Sequence, residues 1–80
     1  MKRIAVLGAT GSIGKNSLDV ISRDKNNFEV VLLSAHKSRN QLDQLSRLFP
    51  RAVCVLTSET GGKEKLLSAI TNANADITIN

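Results

Sequence analysis

Aromatic side chains are scarce in this sequence. It has no tryptophan and no tyrosine, and its two phenylalanines are Phe28 and Phe49. Any core must therefore be aliphatic, built from Val, Ile, Leu and Ala. The same scarcity argues against nucleic acid as a partner, because stacked bases need aromatic faces. Basic residues outnumber acidic ones by 11 to 7, a formal charge of +4. They are scattered and form no Lys/Arg block of the kind that follows a phosphate backbone. The surplus suits a solvated surface or attraction to a small phosphorylated molecule. Cysteine is nearly absent too. With Cys54 alone no internal disulfide can form, which fits a reducing compartment. Cys54 lies in the apolar run Ala52-Val53-Cys54-Val55-Leu56, where a thiol is expected to serve as a small core hydrophobe. No apolar stretch approaches the roughly 20 residues of a membrane-spanning helix. Met1-Lys2-Arg3 leads straight into a short apolar segment, without the longer apolar region of a secretory signal. A cytoplasmic location is expected.

What is present is enough for one small core. The chain has 80 residues, of which 41% are hydrophobic. That share favours a folded segment over a disordered one. The length lies below the usual domain mode of roughly 100–150 residues.

Two kinds of pattern alternate along the chain. Ile4-Ala5-Val6-Leu7 is a continuous apolar run ending at Gly8, the signature of a strand buried on both faces of a parallel sheet. Further strands are expected at Phe28–Ala35, at Ala52–Leu56 and from Asp76 through Ile79. Helical spacing fills the gaps. The first helix is expected over Ser12–Ser22, with Ile13, Val20 and Ile21 inward. The second is expected over Arg39–Phe49, with Leu42, Leu45, Leu48 and Phe49 at spacings of three and four. Ser38 and Gln41 have the spacing of a capping box, and Pro50 ends the helix. The third is expected over Lys63–Ala73, with Leu66, Ala69, Ile70 and Ala73 on one stripe after a Thr60-Gly61-Gly62 turn. The class is α/β: a Rossmann-type parallel sheet of about four strands and three helices, with helices on both faces. The last strand reaches Asn80 with no closing helix. Residues 1–80 are therefore read as the N-terminal portion of a larger dinucleotide-binding domain, with catalytic and C-terminal domains outside it.

The motif that carries chemistry is Gly8-Ala9-Thr10-Gly11-Ser12-Ile13-Gly14. It joins an expected strand to an expected helix. Gly8 lets the chain turn off the strand, Gly11 lets backbone approach a pyrophosphate, and Gly14 lets the helix pack closely on the sheet. Free N–H groups and the positive end of the helix dipole would then hold the phosphates, with Thr10 and Ser12 hydroxyls as further donors. The spacing G-x-x-G-x-x-G differs from the strict G-x-G-x-x-G, so the strand–loop–helix context gives the motif its weight. A Walker loop is excluded, because the motif does not end in Gly-Lys-Ser/Thr at the right spacing. After the second strand, an NAD site usually places an acid for the adenosine ribose. Here the residues are His36-Lys37-Ser38-Arg39, with no acid and two cations. Lys37 or Arg39 would attract a 2′-phosphate that a carboxylate would repel, so NADP(H) is expected over NAD(H). His36, the one histidine, is read as a loop residue beside the adenosine.

Lys2–Gly14, then Ser17-Leu18-Asp19-Val20-Ile21, then Phe28–Ala35 together resemble the N-terminus of the 1-deoxy-D-xylulose 5-phosphate reductoisomerase family. The match is continuous over about the first 40 residues and collinear from there to Asn80. The resemblance implies an NADPH-dependent oxidoreductase of non-mevalonate isoprenoid biosynthesis. Such an enzyme converts 1-deoxy-D-xylulose 5-phosphate to 2-C-methyl-D-erythritol 4-phosphate with a divalent metal, Mg or Mn. It further implies that Thr10, Gly11, Ser12 and Ile13 hold the pyrophosphate side of NADPH. The family's second contact segment, usually Gly-Lys-Asn or similar, falls on His36-Lys37-Ser38. Lys37 keeps the pattern, and His36 and Ser38 depart from it. Catalytic residues, metal ligands and substrate-phosphate residues are implied to lie further along such a chain, and Asp19 is read as structural. The resemblance also suggests a homodimer acting on a small molecule; the composition already argues against a nucleic-acid or membrane partner. The 80 residues alone are expected to be inactive.

Two other functions are compatible with the loop. One is another NADP-dependent dehydrogenase with a G-A-T-G loop, similar to aspartate-semialdehyde dehydrogenase, which would carry a catalytic cysteine downstream. The other is a non-enzymatic dinucleotide-sensing module, which would lack catalytic residues altogether.

Overall fold

The computed structural model describes all 80 residues as seven elements in strict alternation. They are β1 (Lys2–Val6), α1 (Ser12–Ser22), β2 (Phe28–Ala35), α2 (Arg39–Leu48), β3 (Val53–Leu56), α3 (Gly62–Ala73) and β4 (Ile77–Ile79). The strands form one parallel sheet in the order β3-β2-β1-β4. The chain builds outward from β1 to β3, then returns to place β4 on the other side of β1. That reversal is the topological switch point of a doubly wound fold.

The two layers follow from strand alternation. Ile4 and Val6 of β1 face α1 and α2, where they meet Leu18, Ile21 and Leu42. Ala5 faces the opposite side with Leu32 and Val55, and the stripe Leu66, Ala69, Ile70, Ala73 of α3 covers them. A register shift interrupts the pairing of β1 with β2: Ile4 pairs with Val30, but Ala5 pairs with Leu32. The extra residue, Val31, lets Val30 and Leu33 point into the same layer although three positions separate them. Leu32, Leu33 and Val6 are fully enclosed. Burial of side chains of this size stabilises a fold by about 1.5–3 kcal/mol each.

Several sequence expectations need correction. Ile13 and Val20 do not face the core; they are 68% and 64% exposed. The buried positions of α1 are Gly14, Leu18 and Ile21, spaced by four and three. The phase of the helix is set by Gly14, which has no side chain to announce that it faces inward. Leu48 is also exposed, and α2 ends there, with Phe49 as its C-cap. The capping box does not form, because Ser38 makes no side-chain cap bond. Its ψ of 68° departs from the extended conformation that would swing the hydroxyl over the first-turn amides. Gly62 belongs to α3 rather than to the preceding turn. A Cβ there would lie 2.7 Å from the carbonyl oxygens of Leu56 and Thr57, so the absence of a side chain lets α3 start hard against the end of β3. Leu7 and Ala52 fall outside the strands, and β4 begins at Ile77.

At the far end of the sheet, Arg3 ties α3 to β1. Its Nε and Nη2 donate to the Ala73 carbonyl at 3.3 and 2.8 Å. The Arg3 amide donates to Asp76 Oδ2 at 2.9 Å, and the Asp76 amide donates back to the Arg3 carbonyl at 2.8 Å. The guanidinium thus satisfies a carbonyl that the helix end leaves unpaired. No helix is long and apolar enough to cross a membrane.

Candidate dinucleotide site

The glycine loop sits at the carboxyl end of β1, directly over the switch point. Gly8 adopts φ +69°, a left-handed conformation that a β-carbon would penalise, and this turns the chain off the strand. The loop is pinned from both neighbours. Leu7 donates its amide to the Ile79 carbonyl of β4 at 2.8 Å. On the other side, the Gly8 amide donates to Ser34 Oγ at 3.2 Å and the Ala9 amide to the Ser34 carbonyl at 2.7 Å. Ser34 is the single buried polar residue of the protein, only 3% exposed, and it is spent on this loop. Within the loop the Gly11 amide closes a turn onto the Gly8 carbonyl at 3.0 Å.

These bonds leave a set of donors free. The Lys15 amide begins the helical ladder by bonding the Gly11 carbonyl at 2.9 Å. The amides of Thr10, Ser12, Ile13 and Gly14 have no acceptor in the protein. No acid occupies the first turn of α1, so nothing there competes for the positive end of its dipole. Gly8, Gly11, Ser12, Ile13, Gly14 and, across the crevice, Asn80 line the concavity above the loop. The glycines differ in what they allow. A Cβ on Gly14 would strike the Gly8 oxygen at 2.4 Å and Ala9 Cα at 2.7 Å, so this glycine serves the fold. A Cβ on Gly11 would meet nothing closer than the Gly8 oxygen at 3.4 Å. The protein itself does not require a glycine at position 11. The space beside it is open, as a ligand's close approach would demand.

The second segment, His36–Ser38, leaves the carboxyl end of the neighbouring strand β2. His36 and Lys37 are exposed and Ser38 is partly buried. His36 is held by the β3–α3 connection. Its Nδ1 lies 3.0 Å from Thr57 Oγ1, and its carbonyl accepts the Ser58 amide at 3.0 Å. Thr57 donates its hydroxyl to the Ala35 carbonyl at 3.3 Å, which leaves its oxygen to accept from an Nδ1–H of His36. The Leu42 amide bonds the Ser38 carbonyl, and the failed cap leaves the Asn40 and Gln41 amides free of backbone acceptors. Both predicted segments therefore lie on the same edge of the sheet, on adjacent strands.

One feature of this end was missed from the sequence. Arg39 is not a free cation: its Nη2 forms an ion pair with Glu59 Oε1. No acid stands in His36–Arg39 directly after β2, but the β3–α3 connection brings one beside it. The pairing spans 20 positions, and no local spacing rule reveals it. Cys54 proves half-buried and packs against the larger core cluster. Burial, and secondarily the negative charge of Asp43, push its thiol pKa up, so it is held as the inert protonated form.

A parallel 3-2-1-4 sheet, a glycine loop at the switch point and free amides at the following helix start define a dinucleotide-binding Rossmann fold. Comparison with known proteins narrows that class. Residues 4–80 match the family model of 1-deoxy-D-xylulose 5-phosphate reductoisomerase, and the chain belongs to that family. A 1-deoxy-D-xylulose 5-phosphate reductoisomerase from Clostridium kluyveri is 39% identical over 79 residues, covering 99% of this chain and 20% of that relative. One from Anaeromyxobacter is 50% identical over 56 residues, covering 69% of this chain and 14% of that relative. The structure of the Zymomonas mobilis enzyme in complex with NADPH superposes with a TM-score of 0.69 at 25% identity, over 99% of this chain and 21% of that one. A second reductoisomerase structure, in complex with NADPH, fosmidomycin and magnesium, gives 0.69 at 26% identity, over 99% and 19%. The chain spans about a fifth of the length of the curated relative from Clostridium kluyveri.

Proposed function

We propose that this chain binds the adenosine and pyrophosphate half of NADPH for a 1-deoxy-D-xylulose 5-phosphate reductoisomerase. The observation that carries the reading is the set of free amides on Thr10, Ser12, Ile13 and Gly14, the last three of them on residues that line a crevice at the switch point. In this role the amides of Thr10, Ser12 and Ile13 donate to pyrophosphate oxygens, and Gly11 supplies clearance. The Thr10 and Ser12 hydroxyls are unengaged and add donors. Lys37 faces the adenosine 2′-phosphate with its charge, and His36 and Ser38 frame the adenosine. His36 is fixed through Thr57 beside that subsite. NADPH, when bound, supplies the hydride that reduces the rearranged substrate. The NADPH complexes of two neighbours support this assignment.

The full reaction is the conversion of 1-deoxy-D-xylulose 5-phosphate to 2-C-methyl-D-erythritol 4-phosphate. A divalent cation, Mg or Mn, polarises the substrate oxygens in such chemistry. Its ligands, and the catalytic residues, are assigned to the part of the relatives that these 80 residues do not span. A homodimer and a cytoplasmic location complete the reading. The test is NADPH oxidation by the full-length protein with 1-deoxy-D-xylulose 5-phosphate and Mg. Substrate-dependent loss of the reduced-nicotinamide absorbance is expected. NADPH binding without turnover would favour a sensing module instead.

A further inference from the structure

We infer that Glu59 is a specificity-determining residue that holds down the preference for a 2′-phosphorylated cofactor by engaging Arg39. This rests on the cofactor assignment above. Two cations, Lys37 and Arg39, stand where β2 gives way to α2, and Glu59 pairs with one of them. The backbone that carries Glu59 is tied on both sides. The Glu59 amide donates to the Leu56 carbonyl at 3.2 Å, and its own carbonyl accepts the Gly62 amide at 2.8 Å. Gly62 in turn abuts the end of β3 with no room for a side chain. Glu59 therefore sits on a hydrogen-bonded turn whose Thr57 also holds His36. The same connection thus reaches the adenosine segment at two points.

The charges decide the direction of the effect. Arg39 and Glu59 side chains are 59% and 38% exposed, and solvent-exposed pairs hold together weakly. A phosphate dianion competes well for a guanidinium, because it offers charge-assisted, bidentate acceptors. Glu59 opposes that exchange twice: it occupies Arg39, and its own negative charge repels the incoming phosphate. A cofactor with a plain 2′-hydroxyl feels neither effect to the same degree.

The experiment measures Kd for NADPH and NADH in the full-length protein by calorimetric titration, for the parent, Glu59→Gln, Arg39→Gln and the double variant. Glu59→Gln is expected to tighten NADPH binding by about three- to tenfold at low salt, an effect that salt diminishes. NADH affinity should change less than about twofold, and in the Arg39→Gln background the NADPH gain should shrink, because part of it acts through Arg39. Glu59→Ala should shift NADPH in the same direction. Unchanged or weaker NADPH binding in Glu59→Gln, or an equal gain for NADH, overturns the inference while leaving the cofactor assignment intact. A parent that binds neither dinucleotide overturns the assignment itself, and the inference with it.

Discussion

Gly11 and Gly14 stand three residues apart and answer different demands. At Gly14 the protein's own backbone fills the space a side chain would need, whereas at Gly11 the protein leaves that space open. Gly14→Ala is therefore expected to destabilise the fold, by about 1–3 kcal/mol for an overpacked site, read as a lower urea midpoint. Gly11→Val should keep the fold and lose NADPH binding. A folded Gly11→Val variant with parental affinity would show that no pyrophosphate lies against that residue. Lys37 carries the charge argument at the other subsite. Lys37→Glu should weaken NADPH by about 1–3 kcal/mol and spare NADH. Cys54 offers a pH test of its environment. Its thiol pKa is raised in the folded protein by burial and by Asp43, so the neutral form is the one folding favours. That contribution to stability is fully present below the unfolded thiol value of about 8.5 and declines as pH rises above it. Alkylation of the native protein should accordingly lag behind that of the denatured chain, and equal rates would contradict the assigned burial.

At the scale of elements, what could be read in advance depended on where each signal resides. The bounds of α1 and β2 were legible to the residue, because glycine, a polar turn and a dense apolar run mark them in the sequence itself. The inward face of α1 was not. Its phase is set by the clearance at Gly14, and a glycine contributes nothing to an apolar stripe. Ile13 looked inward by composition, yet it lines the crevice of the candidate site. Ser38 and Gln41 had the right spacing for a cap, but the cap depends on a backbone angle that the preceding β2–α2 connection dictates. The glycine loop was legible as a strand–loop–helix turn with free amides because local order alone defines it. The Arg39–Glu59 pair was not, since two connections meet there only once the sheet is assembled. Arg3 shows the same dependence, joining residues 70 positions apart. Arg3→Ala removes two donors from the end of α3 and should cost about 1 kcal/mol in denaturant unfolding, with no change in the glycine loop. A larger loss of cofactor affinity than of stability would mean that Arg3 reaches the site by a route absent from this structure.

For the whole molecule, the sheet order places the loop and the His36–Ser38 segment on one edge, each at the carboxyl end of its strand. The chain belongs to the reductoisomerase family, and the proposed catalytic residues lie in the part of the relatives that these 80 residues do not span. Residues 1–80 alone, given NADPH, Mg and 1-deoxy-D-xylulose 5-phosphate, should therefore consume no NADPH above a blank. The central claim is narrower: this edge holds a 2′-phosphorylated dinucleotide by backbone amides and Lys37. Paired calorimetric titrations of the full-length protein with NADPH and with NADH test it most directly. The account predicts NADPH to bind tighter by at least about tenfold, the equivalent of roughly 1.4 kcal/mol. Equal affinity for the two cofactors would contradict it.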